Sequence, residues 1–494
     1  MASEKENKNL IERPPIVVVM GHIDHGKTKL LDAIRQTKVA EAEAGGITQS
    51  IGAYEITHKD KKITFIDTPG HQAFIAMRSH GAKVADLAIL VVAADDGPKE
   101  QTWESYKIIK EADIPFMVVI NKIDKPGADV LKTKNQLAEG GIYLEGFGGD
   151  IPFVEISAKE KIGINELLDL LILMAEMLEL KADLNSLPSG VVVESHKDPK
   201  RGNSATLIIK EGVLKRGQFI ATASTKGKIR IFEDFLQRPI EEAPFSSPVL
   251  VIGFESLPDV GERFLASFDE KDLETFIQKE REKEAEKKLV FSDGGKIELE
   301  IKLILKAKTL GALEALIEIV KNVKNKFEKI KIEIVKQGVG DISEEDAKVA
   351  DSTKAIILGF DVKERPEIEF FLRKQHIETI TDKIIYEIER KLEEKIKTLK
   401  EEKESIYLGV LEVLAVFNRR KKEQLIGGRV VSGQLKLKKS FEIFRNDELI
   451  GRGAIKSLRR EKQDVTVVES GLECGLLVES ETEIEKGDII KVLK

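Results

Sequence analysis

The sequence has 494 residues and one cysteine, Cys474, so an intrachain disulfide is excluded. No C-x-x-C pair or Cys/His cluster stands at zinc-ligand spacing, and a reducing, cytoplasmic compartment fits that poverty of thiols. The stretch Met1 to Pro14 is charged and lacks an apolar core, so it does not read as a signal peptide. Long apolar runs are missing as well. The longest, Leu167 to Leu180, is broken by Asp169, Glu176 and Glu179, which marks a core helix and excludes a membrane span. An overall basic excess is also absent: net charge is −7, which gives no global sign of nucleic-acid binding. The segment Asn418 to Asp464 is basic, with fourteen Lys/Arg against six Asp/Glu. That segment suits either a localised anionic partner or a solvated barrel surface.

What is present is length for roughly three to four domains. From 15 to about 180, apolar strands alternate with amphipathic helices. Strands are expected at 15–20, 52–57, 62–66, 86–93, 116–120 and 152–156, and helices at 27–36, 72–82, 100–112 and 164–179. Such alternation implies a mostly parallel sheet with helices on both faces and ligands at the carboxyl ends of the strands.

The densest signal is Gly21-His22-Ile23-Asp24-His25-Gly26-Lys27-Thr28, between the apolar run Ile16 to Met20 and a helical pattern through Leu30, Leu31 and Ile34. Strand, glycine-rich turn and helix are the context of a phosphate-binding loop, in which backbone N–H groups and the helix N-terminus face phosphate. Lys27 is placed to reach β- and γ-phosphates, and the Thr28 hydroxyl to ligate Mg²⁺. Asp67-Thr68-Pro69-Gly70-His71 follows the strand Ile63 to Ile66. Asp67 suits a Mg²⁺ ligand through water, Gly70 an N–H donor to a γ-phosphate, and His71 a group that orients water or stabilises its developing charge. Without the upstream loop the same residues would read as an ordinary turn.

Asn121-Lys122-Ile123-Asp124 ends another strand. A carboxylate at Asp124 can accept from N1–H and the 2-amino group of guanine, donors that adenine lacks. Asn121 would brace the loop and the Lys122 stem would cover the base. Ser157-Ala158-Lys159 could supply backbone N–H to the guanine oxygen. Thr48, in the connecting run Gly45 to Ala53, is placed to complete the Mg²⁺ shell when GTP is present, with Gly45-Gly46 as a hinge.

The order and spacing of these motifs resemble a P-loop GTPase. Asp24 to Thr28 together with Asp67 to His71 resemble the translational GTPases, and Gly45 to Ala53 narrows the resemblance to bacterial translation initiation factor 2. That family implies that His71 orients the hydrolytic water, that Thr48 is the switch threonine, that Ile23 and Ile47 flank the approach to the γ-phosphate, and that Asp24 stands near a monovalent cation. It implies GTP/GDP and Mg²⁺ as ligands, the small and large ribosomal subunits and initiator tRNA as partners, and a cytoplasmic monomer with no membrane contact.

The remaining texture fits the same multidomain plan of α/β and β parts: a short tail over 1–13, the P-loop GTPase domain over 14–182, a β-barrel over 189–268, a charged helical connector over 269–290, an α/β domain over 295–381, a long linker helix over 382–404 and a C-terminal β-barrel over 405–494. Gly202 to Thr206, Gly212 to Gly217 and Pro248 to Phe254 resemble the second domain of translational GTPases. An elongation factor would place another barrel where 295–381 stands. The helix carries one stripe, Ile384, Ile388, Leu392, Ile396 and Leu399, and the twenty-two residues from Asp382 to Lys403 span roughly 33 Å. In the family the last barrel grips the acceptor end of initiator tRNA, which implicates Arg429, Arg459, Arg460, Lys462, Glu473 and Cys474. Here Arg429 stands where many members have cysteine, Glu461 replaces an aromatic and Leu472 a tyrosine, changes that remove a stacking surface and add repulsion toward phosphate. The family also carries a long N-terminal extension, which the resemblance does not find here.

Overall fold

The computed structural model describes residues 10–35, 52–198, 200–285, 299–327, 330–405, 407–420, 422–446, 448–461 and 463–494. The chain divides into two compact units, Met1–Lys391 and Leu392–Lys494. The first opens with a short strand, β1 (Leu10–Glu12), paired with Lys181–Asp183. Six further strands then form one sheet: β2 (Ile16–Gly21), β3 (Gly52–His58), β4 (Lys61–Asp67), β5 (Leu87–Ala93), β6 (Phe116–Asn121) and β7 (Phe153–Glu155), in the order β3-β4-β2-β5-β6-β7. All pairings are parallel except the β3–β4 hairpin. Every residue of β2, β5 and β6 is buried, which is why these strands read as unbroken aliphatic runs.

Helices α1 (Lys27–Arg35), α2 (Ile75–Val84), α3 (Glu100–Glu111), α4 (Val130–Glu139) and α5 (Ile164–Met177) accompany this sheet. Leu30, Leu31 and Ile34 of α1 and Leu167, Leu168 and Leu171 of α5 share one core with Val17, Val19, Ile89 and Val119. Two features depart from the sequence expectation. The helix expected over 72–82 starts as a 3-10 turn, Gln72–Phe74, and only then becomes α2. Helix α4 was not expected, because its buried face is Thr133, Lys134 and Leu137 rather than an apolar stripe.

The strands Ser189–Asp198, Gly202–Glu211, Phe219–Ala221, Lys226–Asp234, Pro248–Phe254 and Arg263–Ser267 close a barrel around Val192, Leu207, Ile220, Val251 and Phe264. The helix Lys271–Ala285 follows. Four parallel strands, Leu299–Ala307, Ile330–Val339, Ile356–Phe360 and Thr379–Asp382, then carry the helices Leu310–Lys326, Glu344–Thr353 and Pro366–Lys374. Ser343 starts the second of these with a capping box. Its Oγ accepts from Asp346 N at 3.2 Å, and the Asp346 carboxylate accepts from Ser343 N at 3.0 Å.

The long helix, Ile385–Ser405, begins in the first unit and continues into the second. Its buried stripe is Ile385, Ile388, Leu392 and Ile396; Ile385 takes the place expected for Ile384, which precedes the helix. In the second unit, pairing of Tyr407–Arg420 with Glu423–Lys436 joins the two sides of the sheet into a barrel, with Leu411, Ile426, Phe441, Leu476 and Ile490 in its core. Among the described residues no helix is long and apolar enough to cross a membrane.

Candidate functional site

The order of the sheet puts β2 between β4 and β5, so the chain turns in opposite directions on either side of the carboxyl end of β2, the place where open α/β sheets bind ligands. The loop after β2 turns sharply there. Gly21 and Gly26 have φ of 135° and 86°, conformations that suit glycine. A Cβ at Gly26 would stand 2.5 Å from Asn121 Nδ2, so the position has no room for one. Ile23–His25 forms one 3-10 turn, and Gln101 of α3 steadies it by accepting from Ile23 N at 3.1 Å.

Lys27 folds back over this loop. Its ammonium donates to Gly21 O at 2.8 Å and His22 O at 2.9 Å. Burial pushes its pKa down to about 7 against the pull of Asp67. Asp67, at the end of β4, is buried. The chain then brings Gly70 over Lys27: a Cβ at Gly70 would stand 2.4 Å from Lys27 Nζ. The loop lysine, the acid and the glycine expected at a γ-phosphate thus share one small space, and Thr28 follows Lys27 in the first turn of α1.

Asn121, at the end of β6, joins three motifs. Its Nδ2 donates to His25 O at 2.9 Å, and its Oδ1 accepts from Lys122 N at 2.8 Å and Ala158 N at 3.1 Å. Asp124 is exposed, and one of its oxygens accepts from Ser157 Oγ at 2.6 Å, the main reason its carboxyl lies below the usual range. Ser157 Oγ in turn accepts from Glu160 N at 3.1 Å. Lys122 adopts φ of 65°, and its ammonium lies 3.8 Å from Asp95. Lys159 is exposed and pairs with Glu160.

Two histidines of the motifs behave differently. The His25 ring is fully buried, with Nδ1 3.3 Å from Val91 O, and burial drives its pKa down to about 3. It is a packing group, edge-on to His22 at 4.9 Å. His71 is half-buried. Its Nδ1 accepts from Ala73 N at 3.1 Å, so the neutral ring carries its proton on Nε2. Burial lowers its pKa, which favours that neutral form. Phe74 and Tyr386 flank the ring, with centroids 6.2 and 6.3 Å away.

Sequence reading missed Arg78, Gln101 and Tyr386, none of which belongs to a short motif. Arg78 left only the trace of an arginine on the inward face of an amphipathic helix. Thr48 and the Gly45-Gly46 hinge lie outside the described residues, as does Lys462.

In the second unit, the strand Glu473–Ser480 lies between Glu423–Lys436 and Glu448–Arg460, with Arg429 opposite Glu473, Gly428 opposite Cys474 and Arg459 opposite Gly475. One end of the barrel thereby collects Arg429, Glu473, Cys474 and Arg459. The cations are exposed and meet acids: Arg429 with Glu473 at 2.8 Å, Arg459 with Asp464 at 2.6 Å, and Arg460 with Glu461 at 3.7 Å. Cys474 is buried, and burial pushes its thiol up to about 11, which disfavours the thiolate at neutral pH. Phe417, 67% exposed, lies along Gly427 on the adjoining strand and was also missed.

Comparison with known proteins covers all three parts of the first unit. The family model for the elongation factor Tu GTP binding domain matches residues 12–177, elongation factor G domain 2 matches 188–267, and translation-initiation factor 2 matches 277–393. Translation initiation factor IF-2 of Carboxydothermus hydrogenoformans is 41% identical over 497 residues, covering 98% of this chain and 60% of that protein. Its counterpart from Clostridium botulinum is 40% identical over 504 residues, covering 99% and 73%. The chain thus spans about three-fifths of the length of the first of these relatives. GDP-bound aIF5B from Aeropyrum pernix aligns with a TM-score of 0.49 at 26% identity, over 98% of this chain and 92% of that one.

Proposed function

Because the chain belongs to the translation initiation factor IF-2 family, we propose that it binds and hydrolyses GTP, promotes binding of initiator formyl-methionyl-tRNA to the small ribosomal subunit and promotes subunit joining, with hydrolysis stimulated by the ribosome. It would do so as a cytoplasmic monomer. The observation that carries the nucleotide part is the convergence of four separate loops on Asn121 and Lys27 at the carboxyl end of the sheet.

In this reading Gly21 to Lys27 cradle the phosphates and Gly70 N–H faces the γ-phosphate. The second Asp124 oxygen accepts from guanine, and backbone N–H groups of Ser157 to Lys159 reach its carbonyl. Thr28, with Asp67 through water, presents hard oxygen donors that fit Mg²⁺, and Thr48 would join them. Mg²⁺, when bound, offsets charge on the β- and γ-phosphate oxygens. Asp24 is the residue the family sets near a monovalent cation.

His71, with Nδ1 occupied by Ala73 N–H, has an Nε2–H to offer. Such a ring donates to a lone pair of the attacking water or to a γ-phosphate oxygen and does not accept the water's proton, so His71 orients and stabilises rather than acting as general base. A fluorescent GDP titration tests the site. Lys27→Ala and Asp124→Asn lose binding, and Asp124→Asn gains the xanthine nucleotide, whose C2 carbonyl accepts from the new amide. Normal GDP binding by both variants would overturn the assignment.

The tRNA part rests on Arg429, Arg459, Arg460, Lys462, Glu473 and Cys474. A second reading, a ribosome-associated GTPase without formyl selectivity, is favoured by the Arg429–Glu473 pair, which engages two residues of that surface with each other. Protection of the ester bond of initiator tRNA by the full chain separates them. Protection that depends on the formyl group supports the first reading, and equal protection of unformylated methionyl-tRNA supports the second.

A further inference from the structure

Arg78 sits on α2 with its side chain wholly buried, the largest side chain so enclosed among the described residues. An arginine is placed so deep only where donors are used, and here both terminal nitrogens are engaged while Nε has no partner among the described residues. One nitrogen, Nη1, shares its two N–H groups among three consecutive carbonyls, Gly70 O at 2.9 Å, His71 O at 2.7 Å and, more weakly, Pro69 O at 3.3 Å. The other, Nη2, donates to Glu104 of α3 at 3.1 Å. Burial pulls the guanidinium down to about 10, and Glu104 opposes that fall, so Arg78 stays charged at neutral pH.

The three carbonyls belong to the loop that carries Gly70 and His71. In a trans peptide the C=O and the following N–H point in opposite directions. Turning the Pro69 carbonyl toward Arg78 therefore turns Gly70 N–H away from it, and Gly70 is the residue whose missing Cβ makes room for Lys27 Nζ. Turning the Gly70 and His71 carbonyls inward likewise fixes the plane from which the His71 ring departs.

We propose that Arg78 is a positioning residue for GTP hydrolysis: its buried guanidinium, itself oriented by Glu104, sets the peptide planes of Pro69, Gly70 and His71 so that Gly70 N–H and the His71 ring meet the γ-phosphate and the attacking water. The inference rests on the reading of His71 and Gly70 given above. Arg78 touches neither nucleotide nor water in this scheme and acts through those two residues. A lysine cannot replace it fully, because an ammonium cannot span three carbonyls and a carboxylate on the far side at once.

The test is single-turnover hydrolysis of GTP by the full chain with ribosomes, beside fluorescent GDP affinity, for Arg78→Gln, Arg78→Lys, Glu104→Gln, His71→Ala and the Arg78→Gln/His71→Ala pair. Arg78→Gln is expected to slow hydrolysis about 10- to 100-fold, the scale of a misplaced reacting group. GDP affinity should change less than about threefold, since GDP presents no γ-phosphate to Gly70. Arg78→Lys recovers part of the rate, and Glu104→Gln, on the half-exposed side of the pair, loses about three- to tenfold. The double variant should be no slower than His71→Ala, because two residues acting through one group are not additive. Full-rate hydrolysis by Arg78→Gln beside a slow His71→Ala overturns the proposal and leaves the GTPase reading standing. So does a double variant in which the two losses multiply. Full-rate hydrolysis by His71→Ala overturns both. Should Arg78→Gln lose GDP binding, Glu104→Gln decides: an unchanged rate there overturns the proposal.

Discussion

The imidazole of His71 lies close to parallel with the phenol ring of Tyr386, their centroids 6.3 Å apart and their planes at 29°. Tyr386 belongs to the first turn of the long helix, and Glu389, one turn further on, raises the histidine's pKa while burial and Arg78 lower it. The residue proposed to face the hydrolytic water is thereby in electrical and steric contact with the start of the helix that runs into the second unit.

Two substitutions on that helix should move His71 in opposite directions. Tyr386→Ala admits water to the ring and raises its pKa toward the ordinary 6.5, whereas Glu389→Gln removes a negative charge and lowers it further. Titration of the His71 ring protons by NMR checks both signs. Shifts of the same sign would show that the contact does not set the environment of the ring.

Lys27 yields a second prediction. Burial lowers its pKa in the nucleotide-free chain, so its charge is lost more readily as pH rises than that of an exposed lysine. Phosphate beside it restores the charge, so nucleotide binding takes up a proton and affinity falls as pH rises through 7 to 9. Calorimetry at pH 8 in buffers of different ionisation enthalpy should show proton uptake, absent in Lys27→Ala if that variant retains measurable binding at high nucleotide concentration. Binding without proton uptake would mean that the Gly21 and His22 carbonyls keep the lysine charged throughout.

His25 gives a pH dependence of stability. Its pKa falls from 6.5 to about 3 on folding, so between these values the unfolded chain binds a proton that the native ring refuses. Stability is complete above the unfolded value and declines as pH falls through that window, by up to about 1.4 kcal/mol per pH unit. The thermal midpoint of wild type should drop more steeply from pH 7 to pH 5 than that of His25→Gln. Parallel curves would place the proton elsewhere.

Asn121 was legible as a brace because the tetrapeptide places an amide at a strand end, but its reach was not. Asn121→Ala removes the bonds to His25, Lys122 and Ala158 together. Leaving buried backbone groups unpaired costs on the order of 1–3 kcal/mol each. A loss of GDP affinity of about 100-fold or more is expected, with Asn121→Asp intermediate because it keeps the acceptor and loses the donor. Equal affinities for the three proteins would deny the brace a role in binding.

Motifs local in sequence were readable: the glycine loop, Asp67 to His71 and Asn121 to Asp124 each carry their chemistry within a few residues of a strand end. What was hidden depends on tertiary partners. Arg78 acts on carbonyls seven to nine residues earlier only because α2 turns back along the loop, and Tyr386 meets His71 from 315 residues away in the chain. The β3–β4 turn takes positive φ at Lys59 and Asp60, so no glycine marked a hairpin there. Helix α4 escaped because a buried lysine stem and a threonine cover its inner face.

The Arg429–Glu473 pair supplies the last prediction. Both side chains are exposed and joined across neighbouring strands, so the ion pair itself adds little stability. Its effect lies in what it masks. If this end of the barrel receives the tRNA acceptor end, as proposed, Glu473 holds the cation that a phosphate would otherwise take and repels that phosphate. Glu473→Gln should then tighten binding of initiator tRNA severalfold, while Arg429→Ala weakens it and reduces the salt dependence by about one ionic contact. Filter binding of the full chain across a range of salt concentrations reads both effects. Unchanged affinity and slope in both variants would move the tRNA contact away from Arg429 and onto the surface around Phe417 and Arg459.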